Sequence, residues 1–283
     1  MTSSRHAGDS GGFRKEEFRL KVEDLTLLPA ISPHVLEFMT SLDDPAANIA
    51  GISGRIEKDP GLSARILKVA NSPLYASRGH VTRVIDALVR VGLMTAKAII
   101  MTASFFDSIR DHPAVASLWK HSMAVSFGAR KIGEATGMTR LDELYLAGLL
   151  HDIGKVVYPM FARESFDAYL EDDSTDPGPV RESRLFGMDH AELGTRLAEA
   201  WNFPPVIYHA IRYHHAPVDA PEPSRDVVNA VGLADRISSA YGMGHSEDPF
   251  VEGGIRPLIE NLGVSSSIDG ILASVLGYGD NIE

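Results

Sequence analysis

Residues 141–155, LDELYLAGLLHDIGK, set an apolar run directly against a His-Asp pair. Leu144, Leu146, Leu149 and Leu150 leave little polar face for water, which predicts a largely buried helix. Thr139, with Asp142 three residues later, resembles a capping box at its start, and Pro159 is expected to end it. His151 and Asp152 close the run, so at least one of them points inward. A buried, ionised carboxylate there needs a partner.

Upstream, Asp111, His112 and Pro113 punctuate the chain. A long amphipathic helix follows, through Val115, Leu118, Trp119, Val125, Ala129 and Ile132 to Gly137. Earlier still, Ile66, Val69 and Ala70, then Val84, Ile85, Leu88 and Val91, recur at helical spacing. Pro29, Pro33, Pro45, Pro60 and Pro73 cut this part into several short packed helices. Downstream, EDDSTDPGP (171–179) reads as an acidic, turn-rich loop, and Asp189 with Glu192 caps the next helix. No alternating strand is visible, so the expected fold is all-α. Residues 1–17 read as a disordered leader, 18–110 as an amino-terminal helical lobe, 111–241 as a second lobe with the His and Asp residues, and 242–283 as short helices closing the bundle.

Composition narrows the chemistry. The 283 residues are 44% hydrophobic, ordinary for a globular core, and contain no cysteine, which excludes thiolate metal sites, disulfides and cysteine nucleophiles. Any metal must be held by nitrogen and oxygen. No secretory h-region and no apolar run near the ~20 residues of a membrane span occurs, so a cytoplasmic protein without a membrane partner is expected. The net charge of -11 argues against nucleic-acid binding. Charge is uneven, however: Gly51 to Phe106 carries eight Lys or Arg against three Asp or Glu, whereas the chain from Asp107 carries 14 against 27. Arg83, Arg90 and Lys97 recur every seven residues and would form one stripe along a continuous helix, either a plain solvated face or a dock for an acidic partner or a nucleotide phosphate.

The chemistry-bearing residues are His121, His151, Asp152, His190, His214, His215 and Asp235, each on or beside an apolar helix. Asp235 follows Val228 and Val231 on the apolar face of DVVNAVGLADRISS (226–239), leaving Arg236 to face outward. His214 follows Ile207 and Ile211 at the same spacing, while His209 falls off that face. Taken singly, each histidine is as readily a hydrogen-bonded core residue and each aspartate a cap. Several inward imidazoles and carboxylates from separate helices instead suit a divalent cation: Fe, Mn, Zn or, with more oxygen, Mg.

The order His, His-Asp, His, His-His, Asp resembles the HD phosphohydrolase superfamily, whose hallmark string is matched by HDIGK at His151 to Lys155. That resemblance implies a metal held by His121, His151, Asp152 and Asp235, with His190, His214 and His215 able to hold a second ion. In an enzyme of this kind Asp152 and Lys155 would be catalytic, Lys155 adding positive charge near a phosphate. The strings LPAISPHVLEFMTSLDDP (28–45), IEKDPGLSARILKVANSPLY (56–75), VIDALVRVGL (84–93), LWKHS (118–122), DHAELG (189–194) and AIRYHH (210–215) look like the HDOD domain, a branch of that superfamily, from about Leu25 to Asp235. Membership implies a bacterial signal-transduction protein acting through contacts with a protein partner in trans. Cyclic di-GMP phosphodiesterases of the HD-GYP branch follow their double histidine with Glu and carry a GYP triplet. Here Ala216 and Pro217 follow, and GYP is absent. Three readings stay open: a sensor of metal or nucleotide, a metal-dependent phosphohydrolase acting on a nucleotide or cyclic nucleotide, and a structural relic.

Overall fold

The computed structural model describes residues 33–42, 48–72, 79–172, 174–244 and 254–279, with Lys15, Phe18, Arg19, Val22, Ala46 and Tyr75. Apart from Lys15, the leader expected over residues 1–17 lies outside the described residues, as do Pro29, Pro45 and Pro73. Among the described residues every regular element is helical, and none is a strand. No helix among them is long and apolar enough to cross a membrane.

The amino-terminal part contains α1 (Pro33–Leu42), α2 (Ile49–Ile56), α3 (Pro60–Ala70), α4 (Val84–Val91) and α5 (Leu93–Ser108). Their starts follow local chemistry. Asn48 accepts from the Gly51 amide at 2.9 Å, and Asp59 accepts from the amides of Gly61 and Leu62, with Pro60 in the first turn of α3. Gly92, at φ 82°, turns the chain between α4 and α5. That break overturns the expected Arg83, Arg90 and Lys97 stripe. Arg83 precedes α4, Arg90 bonds to the carbonyls of Ala70 and Gly79, and Lys97 is buried, donating to the Trp201 carbonyl at 2.5 Å beside the Phe203 ring.

The second part is built round α6 (Val115–Thr136), which ends on Gly137 in the left-handed conformation. Against it pack α7 (Leu141–Leu150), α13 (Arg225–Ala240) and α15 (Ile268–Gly279), the last through Phe127 stacked on Tyr278 at 4.1 Å. The capping box at Thr139 is not formed: Arg140 precedes α7 with no side-chain cap, and Asp142 pairs with Arg130 at 2.8 Å. Nor does Pro159 end α7. The chain leaves that helix at His151 and Asp152, makes a 3-10 turn over Ile153–Val156, and enters α8 (Val157–Phe161). Pro159 sits within its first turn, where a missing amide costs no hydrogen bond.

Then come α9 (Arg163–Leu170), α10 (Gly178–Phe186), α11 (His190–Ala200), α12 (Pro205–Tyr213), 3-10 turns at Pro217–Asp219 and Glu222–Ser224, and α14 (Arg256–Leu262) between α13 and α15. Asp189 caps α11 by accepting from the Glu192 amide at 2.7 Å, as its sequence predicts. α5 contacts α1, α3 and α4 and also α7 and the 153–156 turn, so buried apolar residues form one cluster from Phe18 to Val275. Its interior end is where the His and Asp residues meet.

Candidate metal centre

His121 comes from the middle of α6, His151 and Asp152 from the end of α7, His190 from the start of α11, His214 and His215 from the end of α12, and Asp235 from the middle of α13. The structure brings all seven together. They form two groups, His121, His151 and Asp235, and Asp152, His190, His214 and His215, and within each group the potential ligand atoms lie within 4.8 Å of one another. Six of the side chains are buried and His215 is half-buried.

Asp152 stands between the groups. Its Oδ2 lies 3.4 Å from His151 Nε2 and 3.8 Å from His121 Nε2; its Oδ1 lies 3.2 Å from His190 Nε2 and 3.7 Å from His214 Nε2. Across the first group His121 Nε2 is 3.1 Å from Asp235 Oδ1. Across the second, His190 Nε2 is 3.3 Å from His214 Nε2 and 2.9 Å from His215 Nε2.

The outer ring nitrogens fix the inner ones. His121 Nδ1 donates to the Met243 carbonyl, His151 Nδ1 to Gly148, His214 Nδ1 to Ile211, and His190 Nδ1 to Glu182 Oε2 at 2.7 Å. A neutral imidazole that donates through Nδ1 presents a lone pair at Nε2. The inner nitrogens therefore point electron pairs at one another and at carboxylates. Consistent with this, His151 Nε2 and Asp152 Oδ1 are buried without a hydrogen-bond partner. Something positive has to sit between them: a proton or a cation. Ligand atoms about 2.0–2.1 Å from a tetrahedral ion stand roughly 3.4 Å apart, and the spacings here bracket that value. The donor set, all nitrogen and oxygen, fits a divalent cation.

Without a cation, protons do this work. Burial opposes charge on His190, but Glu182 and Asp152 outweigh it and raise its pKa to about 9. His151 also rises, because Asp152 and Asp235 overcome its burial. Burial, reinforced by His215 and His151, pushes His214 well down, leaving it neutral. Asp152 and Asp235 resist burial and stay well below the usual carboxylate range, Asp152 through His151 and Lys155, Asp235 through His121 and His151. Lys155 is buried with its Nζ 2.9 Å from Asp152 Oδ2.

Two supporting residues carry no motif. Glu182, fully buried on α10, accepts from both the His190 amide and its ring at 2.7 Å. Its signal was there: Leu185 and Phe186 lie three and four residues on, placing its carboxylate toward an apolar face as with Asp235. Arg236 does not face outward as its position beside Asp235 suggests. It folds back to donate to the carbonyls of His214 and His215, both at 3.1 Å, pinning the two histidines to α13. His209 stays apart, bonded to Ser224.

A sequence model of the HDOD domain matches residues 28–217. The chain belongs to the HDOD domain family. The HDOD match stops short of Asp235, which α13 nevertheless delivers to the same centre. A crystal structure of an HDOD domain protein of unknown function from Geobacter sulfurreducens superposes with a TM-score of 0.66 at 29% identity, covering 93% of this chain and 97% of that one. An uncharacterized protein of Treponema pallidum is 26% identical over 221 residues, 76% of this chain and 42% of its own length. Ribonuclease Y of Bacillus thuringiensis is 30% identical over 156 residues, 54% of this chain and 23% of the ribonuclease. The chain thus spans less than half the length of these curated relatives.

Proposed function

We propose that this HDOD protein binds divalent cations between its two groups of ligands and serves as a signalling regulator that reports occupancy of that pocket to a protein partner. The observation that carries the reading is the convergence of histidine Nε2 atoms whose Nδ1 atoms are already committed, with Asp152 offering one oxygen to each group. His121, His151 and Asp235 would hold one ion, His190, His214 and His215 a second, and Asp152 would reach both. Burial of six of the seven side chains supports sensing over rapid turnover of a bulky phosphodiester. Family membership supports the signalling part, and Ala216 with Pro217 after the double histidine leaves the cyclic-dinucleotide signature incomplete.

Elemental analysis of protein purified without added metal tests this directly. One to two equivalents of Fe, Mn or Zn are expected, falling below one in His151→Ala and Asp235→Ala variants that remain folded. Metal content unchanged by both substitutions would remove the centre from the reading.

The second reading, a metal-dependent phosphohydrolase, is favoured by Lys155. Its buried Nζ lies 2.9 Å from Asp152 Oδ2, a positive charge beside the residues that would hold the ions. A bound cation would supply a water of lowered pKa and charge stabilisation. Turnover of a nucleotide or cyclic nucleotide near ~1 s⁻¹, the low end for ordinary enzymes, and its loss in Asp152→Ala, would make this reading the correct one.

A further inference from the structure

Ahead of the region matched to the HDOD domain, Lys15, Phe18, Arg19 and Val22 are helical, and Phe18 and Val22, one turn apart, are both buried. The Phe18 ring lies 6.0 Å from that of Tyr158 on α8 and 5.9 Å from that of Phe186 on α10, and those two stack on each other at 4.1 Å. All three side chains are fully buried. Lys15 adds a polar anchor. Its Nζ donates to the Arg184 carbonyl in the last turn of α10, and a Cβ on Gly187, the left-handed residue that ends that helix, would stand 3.7 Å from the Cβ of Lys15. These contacts converge on the segment that sets His190. Glu182 lies one turn before Phe186 on α10, and its Oε2 accepts from both the amide and the ring of His190. From the other side, the Tyr158 hydroxyl donates to the Met188 carbonyl at 3.0 Å, two residues before His190.

We propose that Phe18 is a positioning residue for His190, so that docking of the amino-terminal helical residues and occupancy of the ligand group containing His190 strengthen one another. The inference rests on the metal reading above and adds a regulatory contact to that site. Packed interiors relax only in part when a side chain is removed. A vacancy at Phe18 lets Phe186 and Tyr158 shift, and with them Glu182 and the Met188 carbonyl, which together fix where His190 Nε2 points. A ring that only filled space would affect stability and leave metal affinity alone. Linkage runs both ways: whatever draws Phe18 off the two rings weakens the metal, and the metal holds Phe18 in place.

Competition for Zn against a chelator of known strength, on the whole chain and beside thermal melting, tests the coupling. Phe18→Ala should weaken Zn binding by about tenfold or more, the effect typical of groups that orient a metal-bound histidine. Phe18→Leu, which keeps most of the apolar volume, should weaken it less. Leu62→Ala, buried on α3 away from the centre, should lower the melting temperature and leave Zn affinity unchanged. In a cycle with Glu182→Gln, the loss caused by the Phe18 variant should shrink to about twofold or less, because both act through the same histidine. If Phe18→Ala has no cooperative melt, Phe18→Leu carries the comparison. The proposal is overturned if the Phe18 variant that folds binds Zn as tightly as the wild type, or if its loss adds in full to that of Glu182→Gln. A wild-type chain that binds no Zn at all would instead overturn the metal reading itself, and the coupling with it.

Discussion

At the residue scale the centre depends on a carboxylate that touches no inner ligand atom. Glu182 holds His190 by ring and backbone, fixing which nitrogen faces inward. Partners that orient a metal-bound histidine typically control affinity by 10–100-fold. Glu182→Gln keeps the shape but loses the charge, so metal affinity should fall by roughly that factor with the fold intact, as measured by competition against a chelator of known strength. An unchanged affinity would reduce Glu182 to a packing partner. The inner residues were legible because a histidine or aspartate inside an apolar periodicity is costly to bury unless it meets a partner, and HDIGK adds a recognisable string. Arg236 runs against its sequence pattern. Helical spacing places its Cα toward solvent, but a long guanidinium stem can turn back, and the unsatisfied carbonyls of His214 and His215 reward it for doing so.

Element by element, apolar periodicity found the helices and local polar chemistry mislocated some of their ends. Gly137 and Asp189 act as their sequence predicts, since each needs only its own neighbours. Thr139 failed because a tertiary partner intervened, Asp142 being taken by Arg130, and the seven-residue stripe because Gly92 breaks the helix and Lys97 turns inward to the Trp201 carbonyl. The same contrast is measurable. Lys97→Glu would bury a carboxylate against that carbonyl and should cost about 3–5 kcal/mol, whereas Arg83→Glu, at a side chain 70% exposed, should stay within about 0.5 kcal/mol. Equal melting temperatures for the two variants would mean Lys97 is not held as described. The glycine of HDIGK belongs to this scale too. A Cβ on Gly154 would stand 2.0 Å from the His190 carbonyl oxygen and 2.7 Å from the Gly194 amide nitrogen, so the 3-10 turn and the start of α11 touch backbone to backbone. Gly154→Ala should therefore separate Asp152 from His190, costing about 3 kcal/mol of stability, the upper end for overpacking, and weakening metal binding in the same variant.

Across the whole molecule, separate helices converge on one buried cluster of charge, so its protonation is tied to global stability. In metal-free protein His190, with a pKa raised to about 9 by Glu182 and Asp152 against its burial, and His151, raised by Asp152 and Asp235, favour the folded state when protonated. For His190 that contribution is complete below the unfolded histidine value of ~6.5 and is lost as pH rises through about 9; that of His151 is likewise complete below ~6.5 and is lost as pH rises through its own raised value. His214 works the other way: held neutral in the fold, it costs stability once pH falls below ~6.5 and the unfolded chain takes up its proton. The depressed carboxyls of Asp152 and Asp235 lose their contribution only at still lower pH. Metal-free protein should thus be most stable near pH ~6.5 and soften toward pH ~9. A divalent cation requires neutral imidazoles and displaces the protons that His190 and His151 hold, so its binding should strengthen over the same interval. At a free concentration about 100 times Kd it stabilises by about 2.7 kcal/mol. Melting temperatures with Mn or Zn and with EDTA, compared across about pH 6 to 9, should therefore diverge as pH rises. A constant difference over that range would mean that cation and proton do not compete for these histidines, and the ligand assignment would have to be abandoned.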